Sequence, residues 1–196
     1  DSFKPNIVKR GHLSCVNAGV YNPLCYELTM NSNINCGCVG FWFYPTEYSP
    51  SKCFFSVFSN QGNSFIQVSM LSTGKLKLHI RDFNGNFSTP ITTDFTVQLN
   101  EWNFFCLNWM NRDDSASSSV SEYALTLNSD TKVYTKKNPR VPMDLTGKLK
   151  YYIGYMYDGA YKDSLNFDIT ALMIGVHNFV NKRDVIGYYR RTKEYL

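Results

Sequence analysis

The sequence predicts an all-β protein, a two-sheet antiparallel β-sandwich with one short C-terminal helix. Three observations predict it. Apolar residues alternate with polar ones in short runs that each end in turn residues, a period of two that suits strands and not amphipathic helices. Aromatic residues make up 16% of the chain and charged residues only 18%, which excludes disorder, coiled coil and collagen. The 196 residues hold no repeat of fixed period and no Pro/Gly-rich linker, so a single domain over 1–196 with one sizeable core is expected.

Taken in order, Val39 to Tyr44 is an aromatic run that ends at Pro45 and reads as a strand buried on both faces. Phe54 to Phe58 and Phe65 to Met70 follow, and Leu76, Leu78 and Ile80 alternate strictly with Lys75, Lys77 and His79. These three runs predict a meander with one solvated face. Asn84-Gly85 suits a tight hairpin because both residues tolerate positive φ. Trp102 to Trp109 predicts a second aromatic strand, and a polar loop from Asn111 through Ser121 leads into Tyr123 to Leu127. Tyr151 to Gly154 begins another strand, and Phe167 to Val176 is a long apolar one. Near the end, Asn181 and Asp184 have capping-box spacing ahead of Val185, Tyr188 and Tyr189, which recur at helical intervals.

The net charge of +4 is small and scattered, so neither nucleic acid nor an anionic membrane is demanded as a partner. No run of roughly 18 apolar residues spans a bilayer, so no membrane insertion is expected. Of the six cysteines, Cys36 and Cys38 are the only close pair, and His12, His79 and His177 stand apart, which leaves zinc-ligand spacing unmet. Cys53 and Cys106 lie inside apolar runs, where a thiol packs as a small hydrophobe.

Cys38 to Pro45, Trp102 to Trp109, Leu125 to Ser129, Ile153-Gly154, Phe167 to Asn178 and Val180 to Tyr189, in this order, resemble the concanavalin A-like and laminin-G-like jelly rolls. That superfamily includes legume lectins, pentraxins and lectin or glucanase modules of surface proteins, and the resemblance covers residues 13 to 190. It implies a jelly-roll sandwich. Ser129 replaces a usual turn Gly, Ile169 and Ala171 stand where the last strand commonly has Gly and a larger aliphatic, and Leu172 and Met173 occupy positions that are acidic in many members.

The glucanase branch carries Glu-x-Asp-x-x-Glu on one strand, because alternate residues project both carboxylates from one face. Glu27, Glu47, Glu101, Glu122 and Glu194 form no such run, and no serine-hydrolase elbow or phosphate loop occurs. No catalytic residues are assigned, and the chain is expected not to be an enzyme. Relatives that bind Ca2+ use Asp, Asn and main-chain oxygens of rim loops, for which Asn111, Asp113 and Asp114, and Asp158 and Asp163, are the available sets. The loop Tyr155 to Tyr161 mixes ring faces, a carboxylate and a glycine, the mixture that stacks on sugar C–H faces and bonds hydroxyl rims. A glycan site is therefore expected on Tyr155, Tyr157, Asp158 and Tyr161, with Asn111, Asp113 and Asp114 as a neighbouring wall. The resemblance implies a carbohydrate-binding, lectin-like recognition module of a larger surface, secreted or virion protein. Its partners would be a glycan or glycoconjugate receptor and other chains or domains of a multivalent assembly. A protein-protein adhesion or assembly domain of the same fold is the alternative, and a glycoside hydrolase a third. Asn86-Phe87-Ser88 is a glycosylation sequon.

Overall fold

The structure, a computed structural model, describes residues 6–10, 13–18, 24–34, 36–48, 52–59, 65–81, 89–112, 120–137, 145–154, 156–157, 161–162, 165, 167–176 and 180–196. Along the chain run β1 (Asn6–Arg10), β2 (Leu13–Ala18), β3 (Leu24–Ile34), β4 (Cys36–Pro45), β5 (Lys52–Ser59), β6 (Phe65–Met70), β7 (Lys75–Arg81) and β8 (Ile91–Thr96). Then come β9 (Asn103–Arg112), β10 (Val120–Leu127), β11 (Asp130–Lys137), β12 (Leu145–Ile153), β13 (Met156–Tyr157), β14 (Tyr161–Lys162), β15 (Phe167–Val176) and α1 (Lys182–Lys193). A seven-stranded sheet has the order β1-β2-β15-β4-β9-β10-β11, a six-stranded sheet the order β3-β12-β5-β6-β7-β8, and β13 and β14 form a small ribbon. Every pairing within these sheets is antiparallel.

The β5-β6-β7 meander forms as its alternation predicts: Leu76, Leu78 and Ile80 are buried while Lys75, Lys77, His79 and Arg81 are half-exposed. Its β6–β7 turn closes at Gly74, whose φ of 74° places it in the left-handed region. The β10–β11 hairpin uses Asn128-Ser129, and Asn128 supplies the positive φ of 56° that the two-residue turn requires. The absence of the usual turn glycine at Ser129 is thus met by the residue before it.

Between the sheets lies a core of rings. Phe41 and Phe43 from β4, Phe54 from β5, Phe105 from β9 and Phe167 from β15 form mutual edge, tilted and stacked contacts at centroid distances of 4.6 to 6.3 Å. Gly37 is required beside them, because a Cβ there would stand 2.4 Å from the Trp109 ring. A second cluster lies on the other face of the seven-stranded sheet, where α1 covers Trp42, Phe104 and Cys106 with Val185, Tyr188 and Tyr189. Period two explains the split: Val39, Phe41 and Phe43 point to the sandwich interior and Trp42 points to the helix. The Asn181 cap is present as predicted, its Oδ1 accepting the Asp184 N–H at 3.0 Å.

Cys15, Cys38, Cys53 and Cys106 are buried free thiols, whereas Cys25 is exposed and Cys36 half-buried. Burial pushes the Cys106 thiol far above its ordinary range, so it packs and does not act as a nucleophile at neutral pH. Trp102, expected to be buried in a strand, instead precedes β9 half-buried, edge-on to Tyr44 at 5.6 Å.

Candidate functional site

Antiparallel register turns single residues on separate strands into rows. On the outer face of the six-stranded sheet, Tyr152 of β12 stands opposite Ser56 of β5, Ser56 opposite Gln67 of β6, and Gln67 opposite His79 of β7. Their chain neighbours Tyr151, Ile153, Val57, Ile66, Val68, Leu78 and Ile80 belong to the core, so these four face away from it. One row beyond, Lys150, Phe58, Phe65 and Arg81 line up in the same way. On the other side lie Cys53, Ser69, Lys77 and Thr92. With strands about 4.8 Å apart, the central row offers an amide, an imidazole and two hydroxyls across about 14 Å.

The rows are internally ordered. Gln67 donates from Nε2 to Ser69 Oγ at 3.1 Å, and the Arg81 guanidinium lies over the Phe65 ring, 4.6 Å from its centroid. Lys150 stands 3.7 Å from Glu27 at the β3 edge. Tyr152 at 6% and Ser56 and Ser69 at 4% are buried despite facing outward, whereas Gln67, Lys77, His79 and Arg81 are half-exposed. Burial, and after it the charge of Lys77, holds the His79 imidazole below its ordinary pKa, so it is neutral and can both donate and accept at pH 7.

The loop singled out from sequence adjoins this face. Tyr157 and Tyr161 stand directly opposite one another in the β13–β14 ribbon, and β13 packs against β5 and β12. Gly154 anchors its base: the Gly154 N–H donates to Phe54 O at 2.8 Å, and its carbonyl accepts from the Leu165 N–H at 3.1 Å. A φ of 74°, with Leu165 O only 3.0 Å from where a Cβ would sit, makes glycine necessary there. Tyr155 and Asp158 lie outside the described residues, as do the side chains of Tyr157 and Tyr161.

Asn111 is placed elsewhere. Gly154 approaches Ala18, which pairs with Phe167 at the end of the sandwich where β9 begins at Asn103. Asn111 is eight residues further along β9, opposite Ser121, about 27 Å away at roughly 3.4 Å per residue. The backbone at Asn111 therefore does not adjoin the base of the tyrosine ribbon. Asp113, Asp114 and Asp163 lie outside the described residues, as do His12, His177, Asn84-Gly85 and the Asn86 sequon. Among the described residues no group of three His, Cys, Asp or Glu side chains converges on a metal position.

No family model matches the chain, and no curated protein matches it. Solved structures do. A Ruminococcus gnavus IT-sialidase CBM40 bound to α2,3 sialyllactose is similar over 85% of this chain and 98% of its own, with 13% identity and a TM-score of 0.60. A native heptameric SAP-like pentraxin from Limulus polyphemus is similar over 82% of this chain and 73% of its own, with 15% identity and a TM-score of 0.56. Botulinum neurotoxin type C, described as depending on two ganglioside molecules for cell entry, is similar over 95% of this chain and 45% of its own, with 13% identity and a TM-score of 0.60. The fold is the concanavalin A-like jelly roll.

In this jelly roll the two outer faces differ. The helix occupies the outer face of the seven-stranded sheet, pinned where the Trp42 indole N–H donates to Thr192 Oγ1 at 2.8 Å. Beside it, Asp168 is 3% exposed and accepts from Arg10 Nε at 2.5 Å and Asn17 Nδ2 at 2.9 Å. The pair ties β1 to β15 across β2, and the Arg10 guanidinium also lies 4.5 Å above the Tyr44 ring. Asp168 is thus a structural clamp whose oxygens are both engaged. The outer face of the six-stranded sheet was missed from sequence because its rows join strands far apart in the chain; only the outward alternation of Lys75, Lys77 and His79 was visible.

Proposed function

We propose that this chain is a non-catalytic carbohydrate-binding module whose site is the outer face of the six-stranded sheet, with the tyrosine ribbon at its end. The carrying observation is the in-register row Tyr152–Ser56–Gln67–His79. Sugars present hydroxyls that exchange donor and acceptor roles along a chain, and a neutral imidazole, an amide and hydroxyls match both roles. Phe58, half-buried, supplies ring area in the adjoining row, where Phe65 is buried under the Arg81 guanidinium. Tyr155, Tyr157, Asp158 and Tyr161 would complete the site at the rim. The likeness to a CBM40 bound to sialyllactose supports the reading as analogy of fold. Large exposed apolar side chains among the described residues, Ile7, Tyr26, Val133 and Tyr195, stand on four separate segments and make no assembly patch, which favours glycan over protein as partner. An extracellular, cell-surface or virion setting follows from that partner, and a multivalent parent would offset the weak, roughly micromolar to millimolar affinity of one shallow site.

A glycan array of the chain, followed by titration of the best hit against Gln67→Ala, His79→Ala and Tyr157→Ala, tests this. Loss of at least fivefold in affinity in the first two, at unchanged melting temperature, is expected. Parent-like binding by Gln67→Ala and His79→Ala moves the site off this face, and no binding even to clustered glycans replaces the reading with adhesion.

A further inference from the structure

The helix that closes the jelly roll carries two of its five cations against the preference of a helix. Its sequence from Lys182 to Lys193 is KRDVIGYYRRTK, with five cations and one carboxylate. Val185, Tyr188, Tyr189 and Thr192 turn inward to the sheet, leaving Lys182, Arg183, Arg190, Arg191 and Lys193 exposed. Arg190, Arg191 and Lys193 sit in the last turn, where the macrodipole welcomes cations. Lys182 and Arg183 sit in the first turn, where it opposes them.

The same face contains a second local cost. Gly187 lies mid-helix, where glycine is about 1 kcal/mol worse than alanine. No packing requires it: a Cβ there would meet only Arg191 Nη1, at 3.9 Å. Helical spacing places Gly187 between Arg183 one turn before it and Arg190 and Arg191 one turn after it. The result is a shallow open depression lined by Lys182, Arg183, Ile186, Gly187, Arg190 and Arg191. Asn181 and Asp184 line it as well, and the Asp184 carboxylate, whose Oδ2 accepts from Asn181 Nδ2 in the cap, offsets only one of the four cations Lys182, Arg183, Arg190 and Arg191. Glu194 follows the helix as its C-cap, and among the described residues none of Lys182, Arg183, Arg190 and Arg191 forms an ion pair. Local choices that cost stability without a packing reason mark function.

We propose that this depression is a second binding site, for a polysaccharide bearing sulfate or phosphate esters, with one tetrahedral oxyanion seated over Gly187 between Arg183, Arg190 and Arg191. Guanidinium groups bind such oxyanions through paired N–H donors, and the missing side chain lets the group approach the helix backbone. From Lys182 to Arg191 the stripe runs about 13.5 Å at 1.5 Å per residue, long enough for several charges of an extended chain. Two other polyanions fit less well. A helix laid flat on a sheet cannot enter a DNA major groove, and the stripe has no ring to stack on bases. A bilayer would need an apolar flank to enter, and Ile186 alone, half-buried, does not provide one. The site lies on the opposite sheet from the proposed sugar row, so the two readings stand or fall separately.

The test is titration of the full chain with a heparin-derived octasaccharide, its desulfated form, and a phosphorylated mannan oligosaccharide, which separates sulfate from phosphate as the source of the anion. Binding of at least one charged chain and not of the desulfated one is expected. Arg183→Gln/Arg190→Gln should weaken it about tenfold and reduce the slope of log K against log salt by about one to two. Gly187→Gln keeps every charge but fills the depression, and should weaken binding at least fivefold while raising the melting temperature. Parent-like affinity in Gly187→Gln would reduce the effect to diffuse attraction and overturn the site. Tighter binding to duplex DNA of equal charge, or to vesicles with 30% phosphatidylglycerol, would overturn the polysaccharide. Gln67→Ala should leave this binding unchanged.

Discussion

Replacing Trp42 should release the helix from the sheet. Its indole is 1% exposed, lies against Tyr189 at 5.3 Å and Phe104 at 5.4 Å, and donates its N–H to Thr192 Oγ1 at 2.8 Å. Truncation of a buried Trp to Ala costs about 3–5 kcal/mol, a large share of the roughly 5–15 kcal/mol that holds a domain together. Two companion substitutions divide that loss. Trp42→Phe keeps a ring but removes the bond and part of the packed indole, while Thr192 Oγ1 still donates to Tyr188 O at 2.8 Å, so about 1–3 kcal/mol is expected. Thr192→Val instead strands a buried N–H and should cost about 1–3 kcal/mol. Urea unfolding should therefore show Trp42→Phe and Thr192→Val each less destabilised than Trp42→Ala. Limited trypsinolysis supplies a local readout, because Arg190, Arg191 and Lys193 all lie in α1 and cleavage there should accelerate most in Trp42→Ala. Trp42→Ala within about 0.5 kcal/mol of the parent, or unchanged cleavage in α1, would refute the role assigned to this ring.

Two glycines should respond oppositely to alanine. Gly37→Ala forces a methyl into the buried Trp109 ring and should lose about 1–3 kcal/mol, whereas Gly187→Ala meets open space and should gain about 1 kcal/mol, a rise of roughly 2–4 °C in melting temperature. Tyr151→Phe should be neutral or stabilising by up to about 1–3 kcal/mol in urea unfolding, since the buried Tyr151 hydroxyl has no hydrogen-bond partner. His79 links stability to pH: its folded pKa is depressed, so the unfolded chain takes up the proton first as pH falls below about 6.5 and stability declines from there through the lower folded pKa. Urea midpoints from pH 8 to 5 should show this decline, and His79→Gln should remove its share.

What the sequence reveals follows from the range of the interaction responsible. The meander was legible because Leu76, Leu78 and Ile80 alternate within seven residues, and the helix because Asn181 and Asp184 cap it locally. The pairing β4–β9, whose two aromatic strands were both predicted, carries no local mark of adjacency, as 60 or so residues separate them. β1, β2, β3, β8 and β11 were not predicted; β8 reads ITTDFT and β11 DTKVYTKK, with too few apolar residues for a core pattern at the sheet margins. The tyrosine loop was singled out through composition alone, and the pairing of Tyr157 with Tyr161 carried no mark in the sequence. Which loops neighbour one another in a sandwich is decided by strand direction, which polarity and composition do not encode, so the position of Asn111 far along β9, opposite Ser121, was not legible.

The closing helix accounts for the division of the two proposed sites between two surfaces. A sandwich of this kind has two outer sheet faces, and the apolar residues Trp42, Phe104 and Met173 on one of them require a cover. Once α1 provides it, that sheet is removed from contact with ligands, and what faces solvent there is the helix's own cationic side. The other sheet needs no cover, because its outward residues at the centre are Ser56, Gln67, His79 and Tyr152 and not aliphatic. The Gln67 amide and His79 imidazole, left half-exposed in a rigid lattice, suit hydroxyl-rich ligands, and guanidinium groups on a helix suit oxyanions. Each surface thus takes its ligand chemistry from the way its strand or helix periodicity divided the same chain into buried and exposed halves.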